Sequence, residues 1–205
     1  MENKELYESS WWLNEQMVSD YWWHADRIFT DEELDKIIQL GESGPPTATA
    51  LQPAKVAQGM IDTDTRACSV AFLNSYAEDT QWIYQRLTGV VVDMNNKFFH
   101  YDLNRIESLQ FTKYESGHKE FYEKHVDAMY KSFAPRKLSF SMMLSDPTTY
   151  EGGDLLLHYG KEPAIAGRER GKLIFFPSYM LHEVTPVTSG LRYSMVGWVS
   201  GPPFR

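Results

Sequence analysis

The sequence predicts helices followed by an antiparallel β core, a sandwich or jelly roll. From about residue 105 the chain becomes a series of short β-rich runs: "SLQFTKY", "KLSFSMML", "DLLLHY", "KLIFFP", "HEVTPV" and "RYSMVGWV". Turn chemistry separates them in "ESG", "DPTTYEGG", "AGRERG" and "TSG". Ahead of them, apolar residues recur at helical spacing. Short strands at even intervals after a helical segment are the pattern of a doubled or closed antiparallel sheet.

The elements follow in chain order. Residues 1 to 20 are polar with embedded tryptophans and suit a short helix. "WWHADRIF" reads as a strand. In "TDEELDKIIQLGE", Thr30 and Glu33 have capping-box spacing, and Leu34, Ile37, Ile38 and Leu40 form an apolar stripe, so a helix is expected. Residues 43 to 66 are rich in Gly, Pro, Thr and Ala and read as a long surface loop of the kind that serves as a lid. A second helix is expected from Ala77 to Asn95, with Trp82, Ile83, Leu87, Val90, Val91 and Met94 at helical spacing. The 205 residues suit one domain. In it, 1–104 supply N-terminal strands and supporting helices, and 105–205 the β core.

Composition narrows the function. Hydrophobic residues are 42% and charged residues 23%, as in a globular protein with a sizeable core. The net charge of −8 argues against nucleic acid or an anionic membrane as partner. No apolar run is long enough to span a bilayer. The opening "MENKELYESS" has acids and no apolar stretch of the kind a secretory signal carries. Cys68 is the only cysteine, which excludes an intrachain disulfide and fits a cytoplasmic protein. The doublets Trp11–Trp12 and Trp22–Trp23 either cover a sheet face or form an interaction patch.

One short stretch carries chemistry. "FYEKHVDAMY" places His125 and Asp127 two apart, and in a strand such residues point to the same side. A metal is one reason for that arrangement, and a simple hydrogen-bonded pair is the other. His182 lies just after the apolar run "LIFFP", where a jelly roll can return it to the same mouth. Two imidazoles and one carboxylate suit non-haem Fe(II), with catalytic Zn(II) as a competitor. Arg192 follows across the turn "TSG". If the two runs pair as a hairpin, His182, Arg192 and Ser194 share the interior face. A buried arginine requires an anion, either a structural carboxylate or a substrate's. His118 and His158 are weaker ligand candidates, and His24 and His100 weaker still.

H-x-D, a distant His and an Arg ten residues later together resemble the Fe(II)- and 2-oxoglutarate-dependent oxygenases, specifically the prolyl 4-hydroxylase-like branch that includes bacterial and phage PKHD-type hydroxylases. The stretches that carry the resemblance are "IESLQFTKYESGHKEFYEKHVD", "RKLSFSMMLSDPTTYEGGDLLLH" and "GKLIFFPSYMLHEVTPVTSGLRYSMVGWVSGPPFR". "RIFTDEELDKIIQLGE" is similar to the family's N-terminal strand and helix, and "TRACSVAFL" loosely to its substrate-side strand.

The resemblance implies a double-stranded β-helix with α-helices packed on one sheet. It implies Fe(II) held by His125, Asp127 and His182. The far carboxylate of 2-oxoglutarate would pair with Arg192, helped by Tyr114 and Ser194. Tyr122 and Arg66 would face the substrate, although a core role for Tyr114 and a surface role for Arg66 stay open. Tyr122, three before His125, needs a bend or bulge to join the site. Gly152 and Gly153 match a double-glycine turn and Trp198 a pocket-lining residue. The implied reaction hydroxylates a C–H bond, foremost of a peptidyl proline, using O2 and releasing succinate and CO2, with ascorbate as reductant. The alternatives are a hydroxylase of a free amino acid or other small molecule, and a non-catalytic 2-oxoglutarate-binding module. A monomer is expected. Asp127 speaks against a halogenase, which lacks that carboxylate. Trp198, where nucleic-acid demethylases carry a second arginine, speaks against DNA or RNA repair.

Overall fold

The computed structural model describes residues 22–56, 59–128 and 134–203. The expected helix within residues 1 to 20 and the Trp11–Trp12 doublet lie outside the described residues.

In chain order the elements are β1 (Trp23–Ala25), α1 (Asp31–Glu42), β2 (Gln52–Pro53), β3 (Arg66–Ala67), β4 (Ser69–Phe72), α2 (Gln81–Met94), β5 (Arg105–Ile106), β6 (Gln110–Glu115), β7 (Phe121–His125), β8 (Arg136–Met143), β9 (Tyr150–Gly152), β10 (Leu155–His158), β11 (Ala164–Ile165), β12 (Leu173–Pro177), β13 (Leu181–Val184) and β14 (Val187–Ser200). The major sheet runs β1-β12-β8-β14-β6-β4-β2, with β5 and β9 also pairing with β14. The minor sheet runs β11-β10-β13-β7-β3. The mainly β, helix-supported jelly roll expected from the sequence is what the chain forms.

Alternation along the strands divides the interior in two. Leu138, Phe140 and Met142 of β8, Leu173 and Phe175 of β12, Phe111 of β6 and Met195 of β14 face one side, where Leu34 and Ile37 of α1 and Ile83, Leu87, Val91 and Met94 of α2 cover them. The intervening residues face the second sheet: Tyr114, Met143, Ile174 and Phe176 meet Leu155, Leu157 and Val184. This second core is interrupted by polar side chains on the same faces, among them Ser139, Ser141, Arg192 and Ser194, all buried. That polar interruption is the site.

Helix α1 begins where its capping box places it: the Thr30 hydroxyl accepts from Glu33 N–H, and the Glu33 carboxylate accepts from Thr30 N–H. Several expectations need correction. The "WWHADRIF" strand is only Trp23–Ala25, because Arg27 takes a positive φ of 55° and ends it. Trp23 stacks on Phe98 with centroids 3.8 Å apart. Helix α2 starts at Gln81, after turns, and runs on into a π-helical turn at Asn95–Phe99. The segment 43–66 is not simply a surface loop: β2 extends the major sheet by pairing with β4, Ala54 N–H donates to the Cys68 carbonyl, and Thr47, Ala48 and Ala54 are buried.

The expected hairpin of the His182 and Arg192 runs does not form. β13 pairs with β10 and β7, whereas β14 pairs with β9, β6, β8 and β5. The chain leaves the minor sheet after Val184 and enters the major one. His182 and Arg192 therefore approach from opposite sheets.

Candidate metal and anion site

His125 ends β7, and Asp127 lies just beyond it. The Asp127 and Ala128 amides both donate to the Ser178 carbonyl at 2.9 Å, which docks this segment beside the approach to β13. His182 on β13 is in register with His125. His125 Nε2 lies 3.8 Å from Asp127 Oδ1, and His182 Nε2 lies 3.5 Å from Asp127 Oδ2. One ligand atom from each of the three residues fits within 4.8 Å of the others. Among the described residues this is the only such cluster of three or more His, Cys, Asp or Glu.

The tautomers suit a metal. His125 Nδ1 sits 2.8 Å from the Glu123 carbonyl, and His182 Nδ1 2.9 Å from the Met180 carbonyl. A carbonyl only accepts, so each Nδ1 carries the proton and each Nε2 offers its lone pair inward. Burial, followed by the neighbouring His182, pushes the His125 imidazole down to about 4, keeping it neutral and ligating at neutral pH. Burial pushes Asp127 up, but the two imidazoles and Ser139 outweigh it and hold the carboxylate below its ordinary range. The Ser139 hydroxyl donates to Asp127 Oδ2 at 2.7 Å and lies 2.9 Å from the Ser178 hydroxyl. Sequence reading did not single out these serines. Ser139 was signalled only by polarity at period two in "KLSFSMML", and Ser178, after "LIFFP", by nothing in its local pattern.

Across the cavity, Arg192 is 1% exposed. Its described partners are neutral: Nη1 donates to Ser194 Oγ at 3.2 Å, Nη2 meets Met143 Sδ at 3.5 Å, and the Tyr114 ring lies 5.2 Å away. Its Nε–H is buried with no acceptor. A guanidinium stripped of water and left without an anion is costly, so this fork is built for an anionic ligand. Gly153 makes room for it: with φ of +65°, an added Cβ would come 2.6 Å from Arg192 Cδ. Gly152, at φ +70°, has the Pro186 carbonyl oxygen where a Cβ would go. Burial raises the Tyr114 phenol, so it is neutral and able to donate beside Arg192.

Tyr122 joins the site through the irregularity its spacing requires. Between β13 and β7 the register passes from His182↔His125 to Val184↔Tyr122, a bulge of one residue. The Tyr122 ring then stacks on His125 at 3.5 Å. Arg66 is not a surface residue: it is 8% exposed, its guanidinium lies 4.3 Å from the Tyr122 ring centroid, and its Nε donates to Cys68 Sγ at 3.3 Å. The loop composition around it concealed a burial that only β7 supplies. His158 instead pairs with Glu183 at 2.8 Å, away from the triad. Trp198 lines the cavity, its ring under Arg136 at 3.9 Å.

His125, Asp127, His182, Arg192, Ser194, Tyr114, Tyr122 and Arg66 thus line one cavity of about 960 Å³. Two imidazoles and a monoanionic carboxylate leave adjacent coordination positions open, a donor set that fits Fe(II). Arg192, whose described partners are all neutral, adds a group suited to an anion across the same cavity.

A family profile described as the 2OG-Fe(II) oxygenase superfamily matches residues 109–200. A PKHD-type hydroxylase of Rippkaea orientalis is 38% identical over 98 residues, covering 46% of this chain, and the chain spans only 43% of that relative's length. A PKHD-type hydroxylase of Crocosphaera subtropica is 29% identical over 184 residues, covering 85% of this chain and 76% of the relative. In fold, the chain matches a Pseudomonas putida prolyl-4-hydroxylase with TM-score 0.68 at 20% identity, covering 88% of this chain and 93% of that one. It also matches a Trichoplax adhaerens prolyl hydroxylase, solved with a hypoxia inducible factor oxygen degradation domain peptide fragment. There the TM-score is 0.73 at 14% identity, covering 88% and 84%.

Proposed function

We propose that this chain, similar over residues 109–200 to the 2OG-Fe(II) oxygenase superfamily and to PKHD-type hydroxylases, is an Fe(II)- and 2-oxoglutarate-dependent dioxygenase that hydroxylates a peptidyl prolyl residue, releasing succinate and CO2. The observation that carries the reading is the pairing, in one cavity, of the His125–Asp127–His182 cluster with the buried, anion-free Arg192. His125, Asp127 and His182 hold the metal. Arg192, with Ser194 and Tyr114, holds the far carboxylate of 2-oxoglutarate. The bound metal and co-substrate supply the oxidising chemistry.

The chain's own residues bind and orient. The two Nδ1–H···carbonyl bonds fix the imidazole planes, and the Arg192 fork anchors the co-substrate at its distal end. Leu155, Phe176, Val184 and Val196 wall the cavity with apolar surface that keeps water out. The cavity is at the upper end of small-molecule pockets, more room than a dicarboxylate and one free amino acid require, which favours a peptide. A protein acting in the cytoplasm fits the single buried thiol. Among the described residues, no helix is long and apolar enough to cross a membrane.

The test is anaerobic addition of Fe(II) and 2-oxoglutarate, watching for the visible metal-to-ligand charge-transfer band, followed by aerobic turnover with proline-containing peptides and ascorbate. The band is expected in the native protein and absent from Asp127→Ala. An unchanged band in that variant defeats the triad assignment.

A further inference from the structure

Three arginines line the cavity, and their charges are disposed of differently. Arg136 is spent: its Nε and Nη2 donate to Glu107 at 2.9 and 2.8 Å. Arg192 awaits the co-substrate. Arg66 remains, buried to the same degree as the structural core, with neutral partners only: the Cys68 thiol, the Lys55 carbonyl at 3.4 Å and the Tyr122 ring. Burial raises the Cys68 thiol, and a phenol is neutral at neutral pH, so none of these neighbours supplies a negative charge. Lys55, on the same wall, adds a second positive group without a carboxylate partner among the described residues.

The charge balance decides what this means. A divalent ion, the Asp127 carboxylate, a dicarboxylate co-substrate and Arg192 cancel one another. Arg66 and Lys55 are left over, so the loaded cavity stays positive in a chain whose net charge is −8. A desolvated, uncompensated guanidinium is costly, and a planar fork recognises a carboxylate better than a neutral amide. Arg66 is also well placed: it lies over Tyr122, which lies over His125. An anion held there would lie beside Tyr122, whose ring stacks on His125.

We propose that Arg66, assisted by Lys55, is a carboxylate-specificity site, and that the molecule hydroxylated here carries a carboxylate close to its reacting carbon. This deepens the dioxygenase reading and rests on it. Two sources within a peptide offer the same chemistry: the α-carboxylate of a C-terminal proline, and an acidic side chain beside a target proline.

The experiment uses the 205-residue chain loaded with Mn(II) and 2-oxoglutarate, so that no turnover is needed, and reads the paramagnetic broadening of probe proton resonances. One probe pair is N-acetylproline and N-acetylprolinamide. The other is N-acetyl-Pro-Glu-amide and N-acetyl-Pro-Gln-amide. Within at least one pair the acid is expected to broaden at about tenfold lower concentration than its amide. That preference is lost in Arg66→Gln and kept in Arg66→Lys, with 2-oxoglutarate affinity unchanged in both. The pair that responds identifies the carboxylate's source. Equal broadening of acid and amide in both pairs, no broadening of any probe, or a preference that survives Arg66→Gln overturns the inference. Failure of 2-oxoglutarate itself to bind beside Mn(II) defeats the dioxygenase reading instead, and this inference with it.

Discussion

Removing the Ser139 hydroxyl isolates the part of the site that sequence reading passed over. Ser139 is fully buried and donates its only proton to Asp127 Oδ2 at 2.7 Å. The contact with Ser178 at 2.9 Å must then run the other way, Ser178 donating to Ser139. The result is a directed relay that polarises one carboxylate oxygen and leaves Oδ1 for a metal. A buried hydrogen bond to a charged group contributes about 1.5–3 kcal/mol, which is roughly 10- to 150-fold in an equilibrium constant. Groups that orient metal ligands typically change affinity about 10- to 100-fold. Ser139→Ala should therefore weaken Co(II) or Fe(II) binding by one to two orders of magnitude in anaerobic titration. Ser139→Thr, which keeps a hydroxyl, should recover much of the loss. Ser178→Ala should cost less, because the Asp127 and Ala128 amides still bond the backbone carbonyl of residue 178. A metal affinity within threefold of native in a folded Ser139→Ala protein would refute the relay.

The remaining predictions concern Arg192, His125 and Gly153. Arg192→Met should abolish the thermal stabilisation that 2-oxoglutarate gives the metal-loaded protein, without lowering the melting temperature of the free protein, because none of the described residues places an anion beside that charge. A large loss of stability in the free protein would mean Arg192 is structural. In metal-free protein, His125 is held down to about 4 from 6.5, chiefly by burial, so the unfolded chain binds a proton that the folded one refuses. Stability should be full above pH 6.5 and fall as pH drops toward about 4, by up to about 3 kcal/mol, as measured by urea unfolding of the metal-free protein. A flat profile across that window would remove the effect. Gly153→Ala should raise the 2-oxoglutarate requirement, since its methyl would meet Arg192 Cδ at 2.6 Å on a strained positive φ; an unchanged KM would show that Arg192 can move aside.

How much could be read in advance depended on how local the determinant was. The Thr30–Glu33 capping box and the two-residue spacing of His125 and Asp127 are written within a few residues; the box forms as expected, whereas Asp127 lies beyond the end of β7 rather than in the strand and still comes within 3.8 Å of His125. The one-residue bulge that brings Tyr122 to His125 was required by spacing alone. The hairpin expectation failed because "TSG" looks like a local turn, whereas the chain there changes sheets: Gly190, at φ +73°, pairs with Tyr150 of β9. Arg66 looked superficial because its flanking sequence is loop-like, and its burial comes from Tyr122, more than fifty positions on. Ser139 and Ser178 were missed although serines at 139 and 141, alternating with Leu138, Phe140 and Met142, marked a polar strip on an otherwise apolar strand.

The change of sheet between His182 and Arg192 has a thermodynamic consequence. The proposed metal ligands belong to the minor sheet and its margins, and Arg192, the proposed anchor of the co-substrate, to the major one. Neither sheet alone offers a complete site, so ligand binds only where both are assembled. Binding energy is then available to the whole sandwich: occupancy at one hundred times Kd stabilises the assembled state by about 2.7 kcal/mol. Amide exchange should accordingly slow together in β7, β13, β6 and β14 when metal and 2-oxoglutarate are added, making the two halves a single cooperative unit that opens as one.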